Sequence, residues 1–243
     1  SEFRDNAVMH DLQAAFMRAA SLIYTGDADL AEIIGLSMSV SLTAVLAACV
    51  IGMVLGGAVG VLRFRGRPAV IILLNALMGL PPVVVGLGVY LLLSRAGPLG
   101  VFGLLYTPTA MIIAQTILVT PIVAALTRQV VEDLYEEYDE QLRSLGVSGL
   151  GLVRTLLWDA RYSLITVALA GFGRAVAEVG AVMIVGGNID HLTRVMTTAI
   201  ALETSKGNLA LALALGVILV GISLLVNGAV AVFGGRSGRS KHD

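Results

Sequence analysis

The apolar and charged positions of the chain fall into long blocks, four of which contain no Asp, Glu, Lys or Arg: Ile33–Leu62, Pro68–Ser94, Ala96–Thr127 and Gly207–Gly235. A helix rising about 1.5 Å per residue needs about 20 apolar residues to cross about 30 Å of hydrocarbon, and each block is long enough. A fifth block, Tyr162–Gly187, is also long enough but carries Arg174 and Glu178 near its middle. The pattern predicts an all-α membrane protein with five spanning helices. Ahead of them Leu12, Ala15, Phe16, Ala19, Leu22 and Ile23 recur at helical spacing, which predicts an amphipathic helix lying on the membrane surface within residues 9–32. Residues 1–8, polar and ahead of Met9, are read as a remnant of expression, 33–233 as one transmembrane domain and 234–243 as a cytoplasmic tail.

Composition agrees, with 57% hydrophobic and 14% charged residues and a mean hydropathy of +0.89, far from the even mixture of soluble domains. A net charge of -1 argues against a surface built for nucleic acid. The lone Cys49 excludes an internal disulfide, and His10, His191 and His242 lie too far apart in sequence to mark a zinc motif. No nucleophile with a neighbouring base occurs in the spans, so neither a catalytic residue nor a metal site is expected. Basic residues set the orientation. With the N-terminus outside, the inner segments hold Arg63, Arg65, Arg67, Arg128, Arg143, Arg154, Arg161, Arg236, Arg239 and Lys241, while the outer ones hold only Arg4, Arg18, Arg95, Arg194 and Lys206. The C-terminus is therefore expected inside. An odd number of spans without visible duplication argues against an inverted-repeat carrier.

Several features within this frame bear on function. Gly52, Gly56 and Gly60 clear one face of the first span for close helix packing, within the chain in preference to between subunits. Pro81 and Pro82 remove two backbone donors and predict a break in the second span, which makes 80–88 either a pathway lining or a buried kink. Pro121 predicts a plain kink in the third. Arg174 and Glu178, four apart on one helix face, form an internal ion pair or stand beside a transport path. The long inner loop opens with an acidic run from Glu132 to Glu140, then presents Leu142 and Leu145 as an apolar ridge ahead of Gly146, a helix stop. The outer loop 188–208 carries Thr193, Thr197, Thr198, Thr204, Ser205 and Lys206, hydroxyls and a cation able to bond an anion, although a water-facing amphipathic helix shows the same residues and is the preferred reading.

The run Glu140-Gln-Leu-Arg-Ser-Leu-Gly146 resembles the cytoplasmic EAA-type motif of ABC importer permeases, although Gln141 and Leu142 replace its two small residues and Leu156-Leu-Trp-Asp159 replaces its downstream Ile-x-Leu-Pro. The stretch from Gly171 through Arg174, Glu178, Gly180 and Ala181 to Gly187-Asn-Ile189, followed by 193–200, is similar to the molybdate, sulfate and tungstate permeases, and its Ala181-Val-Met-Ile-Val-Gly-Gly-Asn188 wording is most like the tungstate branch. Leu80-Pro-Pro-Val-Val84 fits the same group.

The resemblance implies a permease subunit of an ATP-driven importer for a tetrahedral oxyanion, most like tungstate, in the inner membrane. It implies a homodimer, two ATPase subunits docked on a coupling helix at Glu140, Gln141, Leu142, Leu145 and Gly146, and an extracytoplasmic binding protein that delivers the substrate. Pro81, Pro82, Arg174, Glu178, Thr197 and Thr198 are the pathway candidates. No Gly-x-x-x-x-Gly-Lys-Ser/Thr sequence occurs, so the chain is expected to hold no cofactor and ATP to sit on the partner. The alternative is an ATP-independent anion channel or secondary carrier built on Arg174 and Glu178.

Overall fold

A computed structural model describes residues 15–144 and 149–239, with side chains described for 15–138 and 149–232. The expected remnant 1–8, Leu145 and Gly146 lie outside the described residues, as do the side chains of Glu140, Gln141 and Leu142. Every regular element among the described residues is helical: α1 (15–25), α2 (Ala28–Val61), α3 (Arg67–Met78), α4 (Pro82–Leu93), a 3-10 turn (Gly100–Phe102), α5 (Pro108–Ser144), α6 (Gly149–Asp159), α7 (Arg161–Val176), α8 (Gly180–Gly186), α9 (Met196–Lys206) and α10 (Leu209–Arg239).

Three helices are long and apolar enough to cross a bilayer, Ala28–Val61, Pro108–Tyr138 and Leu209–Val232. Two bent pairs complete the five segments, α3 with α4 at 99° and α7 with α8 at 60°. The first bend lies where Pro81 and Pro82 interrupt the amide ladder. The second, at 177–179, has no proline and was not foreseen. Three further expectations need correction. The third span starts at Pro108 instead of Ala96, because Gly97, Pro98, Gly100 and Gly103 hold residues 94–107 in turns and a 3-10 turn. It continues through Pro121 and past Thr127 to Ser144, so the acidic run is a helical extension of α5 and not a loop. The stretch 149–159, expected to be loop, is α6, whose Leu152, Val153 and Leu156 are buried against Val61 and Val131. At the C-terminal end, 234–239 continues α10.

The bundle is built around α5, which touches α2, α3, α4, α6, α7 and α8. Its closest neighbour is α2, and the glycines of α2 show why. A Cβ on Gly52 would lie 2.9 Å from Val123, one on Gly56 would collide with the Ala124 carbonyl, and one on Gly60 would lie 3.1 Å from Val131. The stripe therefore serves packing within the chain. On the other side of α5, Gly171 of α7 lies against Val119 and Val123, and Gly186 of α8 against Met111. The outer faces of α2, α4 and α10 expose Leu46, Val50, Val84, Leu91, Val220 and Leu224, side chains suited to acyl chains. Helix α1 seats Ala19 in a cluster with Leu30, Ile33, Met196 and Leu215.

Gly56→Ala forces two backbones apart and is expected to destabilise the fold by about 1–3 kcal/mol, the usual range for overpacking. Gly88→Ala, where a Cβ meets nothing within 4 Å, is expected to be neutral or slightly stabilising. Thermal unfolding of the two purified variants in one detergent checks the contrast.

Candidate functional site

The two broken spans meet at their breaks. Past Pro82, α4 packs along α8, and the approach is close because both helices present glycine: a Cβ on Gly180 would lie 2.9 Å from Val83 Cγ2, and one on Gly86 would lie 2.7 Å from the Cα of Ala181. This brings the proline break beside the Arg174–Glu178 pair, two features separated by more than 90 positions in the sequence.

An interrupted helix inside a bilayer leaves backbone groups that protein must satisfy. At 177–179 three side chains do so. Gln115 Nε2 of α5 donates to the Ala175 carbonyl at 3.1 Å. Thr197 Oγ1 of α9 donates to the Glu178 carbonyl at 2.8 Å. Glu178 Oε1 accepts from the Ala181 amide at 3.1 Å in the first turn of α8, and its Oε2 accepts from Arg174 Nη1 at 2.9 Å. The ion pair anticipated from spacing is present, but Glu178 lies beyond the end of α7 and has a second role at the start of the next helix. The pair is asymmetric: the Glu178 side chain is 3% exposed and that of Arg174 37%. With one bond to Glu178, the guanidinium keeps donors free in the middle of an apolar span. A third-exposed cation at such a depth requires water, protein or an anion rather than lipid.

The remaining candidates sort differently. Thr198 is fully buried, accepting from the Val195 amide at 3.1 Å and donating to the Val195 carbonyl, so its hydroxyl is committed to the start of α9. The Thr197 hydroxyl is committed to Glu178. Helix α9 has two faces, with Met196, Thr197, Thr198, Ala199 and Glu203 buried and Ala201, Thr204, Ser205 and Lys206 exposed, as in an amphipathic helix. Burial disfavours the Glu203 carboxylate, yet hydrogen bonds from Lys206 and Asn208 outweigh it and hold the group below the usual carboxylate value.

One polar residue was passed over. Asn75 is the sole polar side chain between Pro68 and Leu80, a signal already present in the apolar pattern. It is exposed on α3, a helix with no buried residue, and makes no hydrogen bond among the described residues.

At the end of the bundle that carries the 145–148 connection, Arg67 donates to the Val59 and Gly60 carbonyls, at 2.8 and 3.3 Å, closing the C-terminus of α2. It also pairs with Glu132, which in turn pairs with Arg128. This triad ties α2 and α3 to the helix that continues through Glu140, Gln141 and Leu142. At the opposite end, Asp29, Glu32 and His191 come together, which distance in the sequence had concealed. All three are exposed, and His191 Nδ1 lies 2.9 Å from Glu32 Oε2.

Residues 48–238 match the family described as "Binding-protein-dependent transport system inner membrane component". The chain belongs to this family. It is 40% identical over 221 residues to the "Probable anion ABC transporter permease protein" of Haloferax volcanii, covering 87% of this chain and 95% of the relative. It is likewise 40% identical over 222 residues to the tungstate uptake system permease protein of Peptoclostridium acidaminophilum, covering 91% and 97%. A sulfate transport system permease protein of Salmonella typhimurium is more distant, at 29% over 184 residues, covering 73% and 66%. The chain is thus an ABC transporter permease, a multi-pass inner membrane protein whose family works with a binding protein.

Two predictions follow from this permease's geometry. Spacing alone would let Arg174 and Glu178 exchange places with their attraction intact. The structure disallows it, because a guanidinium at 178 offers the Ala181 amide no acceptor. Arg174→Glu/Glu178→Arg is expected to recover none of the assembled protein lost in Glu178→Arg alone, read by size exclusion of the solubilised variants.

The second concerns pH. The hydrogen bond to Glu32, then the charges of Glu32 and Asp190, raise the His191 pKa above its ordinary value. A raised folded-state value means that the Glu32–His191 contact contributes fully below the unfolded value of about 6.5 and is lost as pH rises through the higher folded one. The difference in Tm between the wild type and His191→Gln should therefore be larger at about pH 6 than at about pH 9.

Proposed function

We propose that this permease is the membrane subunit of an ATP-driven importer for a tetrahedral oxyanion, tungstate first, acting as a homodimer with the path between its two copies. The observation that carries the reading is the guanidinium of Arg174, held by a buried carboxylate and still 37% exposed where two broken spans meet. Among cargoes, an oxyanion offers such a group paired acceptors. The names of the anion and tungstate relatives support the same chemistry. The unburied α3, with its unbonded Asn75, supports a second copy across the path.

In this reading the N-terminus is outside and the C-terminus inside. A binding protein delivers the oxyanion to the outer mouth near α9. Two ATPase subunits, which hold the ATP, dock at Glu140, Gln141, Leu142, Leu145 and Gly146. Closure of the ATPases displaces the cytoplasmic end of α5, and the Arg128–Glu132–Arg67 triad passes that displacement to α2 and α3. Because α4 and α8 pack against one another past their breaks, a tilt of α3 and α4 moves the surroundings of Arg174. Arg174 binds weakly, since its strongest partner remains Glu178 and a permease must release what it receives.

The test is tungstate uptake into proteoliposomes containing the permease, its ATPase and its binding protein. ATP-dependent uptake is expected in the wild type. Arg174→Gln is expected to lower it about tenfold or more, the scale of one charged hydrogen bond, while retaining the ATPase. Uptake that proceeds at full rate without ATPase or ATP would establish the carrier alternative, and undiminished uptake by Arg174→Gln would remove this residue from the path.

A further inference from the structure

The first residues of the fourth span carry a side-chain cluster on which the transport reading above does not draw. Trp158 closes α6, and Arg161 and Tyr162 open α7, the start of an apolar block. The Arg161 guanidinium lies 5.6 Å from the centre of the Trp158 ring and 4.6 Å from that of Tyr162, and its Nη1 donates to the Trp158 carbonyl at 3.0 Å. It makes no ion pair among the described residues, not even with the adjacent exposed Asp159. Two aromatic faces and a backbone carbonyl thus orient a cation whose remaining donors meet no acceptor among the described residues. The surface is also apolar and open, with Trp158 73% exposed and Tyr162 56%.

From this arrangement we propose that Trp158, Arg161 and Tyr162 form a binding site for the headgroup of an anionic phospholipid at the membrane boundary. Three observations favour lipid over a protein partner. Amphipathic rings at the edge of a span belong at headgroup depth. One turn further along α7, Ile165 is exposed, so a phosphate held by Arg161 leaves its acyl chains beside an apolar side chain. A zwitterionic headgroup brings its own ammonium, whereas an anionic one leaves its phosphate charge for the unpaired guanidinium.

Further cations lie at the same end of the bundle. Arg154, one turn before Trp158, is exposed and makes no ion pair among the described residues. Because Val61 packs with Leu156, the exposed Arg63 and Arg65 just past α2 lie at the same end of the bundle. The site rests on the membrane reading of α7, and only its assignment to the cytoplasmic leaflet rests on the orientation proposed above.

Trp158 is the only tryptophan in the chain, so its fluorescence reports on the site directly. The permease alone is reconstituted into phosphatidylcholine vesicles containing a minor, equal fraction of either brominated phosphatidylglycerol or brominated phosphatidylcholine. Stronger quenching by the phosphatidylglycerol is expected, with the preference reduced about fivefold in Arg161→Gln, the scale of one basic residue near an anionic surface. Arg161→Lys, which keeps the charge and loses the planar fork, should retain part of it. Equal quenching by the two lipids overturns the proposal, as does a preference that persists in Arg161→Gln. Absence of quenching by either lipid overturns it in favour of a protein-covered or water-facing surface, such as a flank of the ATPase contact. These vesicles contain neither ATPase nor oxyanion, so failure of the transport reading would leave the result unchanged.

Discussion

The rest of the architecture depends on the contact between α2 and α5, where Gly56 brings one backbone against the carbonyl of Ala124 in the other. Lipid tails are as apolar as the side chains they would replace, so helices in a bilayer gain little from hydrophobicity and associate through close packing and polar contacts. The stripe of Gly52, Gly56 and Gly60 supplies that packing over the C-terminal part of α2, and α5 is the central post of the bundle. Once α5 is held, α7 and α8 seat on its other side through Gly171 and Gly186, and the geometry of both broken spans follows from what they rest on.

The breaks illustrate the second constraint of the bilayer, that irregular backbone survives only where its polar groups are answered. Gln115, Thr197 and Glu178 come from three different segments and converge on the interruption between α7 and α8. Glu178 thereby has two functions, pairing with Arg174 and completing the first turn of α8. That double duty makes the pair more than a mutual neutralisation, which apolar residues could have replaced without loss of stability. It also anchors the carboxylate, so that the exposed partner is the guanidinium. The polarity of the exposed group is what favours an anion as cargo.

Much of the fold was legible because membrane crossing imposes a length and a composition. All five segments were visible as charge-free or charge-poor blocks, and the Pro81–Pro82 break was visible because proline lacks an amide. The helix character of 132–139 was not, since a run of acidic residues reads alike as solvated loop and as the wet continuation of a helix. Of the candidate site, Arg174 and Glu178 stood out by their cost in an apolar block, and the candidate coupling residues and the tungstate likeness stood out by motif. Asn75 was equally visible as an isolated polar residue but has no companion at helical spacing. Thr197 and Thr198 carry hydroxyls of a type able to bond an anion, and their commitment to backbone could not be read from composition.

The sequence by itself determined the number of apolar segments, the position of the proline break, the glycine face of α2 and the chemical types available at the centre of the membrane. Those properties are local: they depend on runs of residues, on a missing amide or on a missing side chain. Tertiary structure alone decided that α7 and α8 part at 177–179, that Gln115 and Thr197 make this parting tolerable, and that it lies beside Pro82. It also decided which member of the ion pair remains accessible. The physical reason is that satisfying a buried backbone group, or shielding one end of an ion pair, requires atoms from segments distant in the chain, and only the packing of α5, α7, α8 and α9 brings those atoms together.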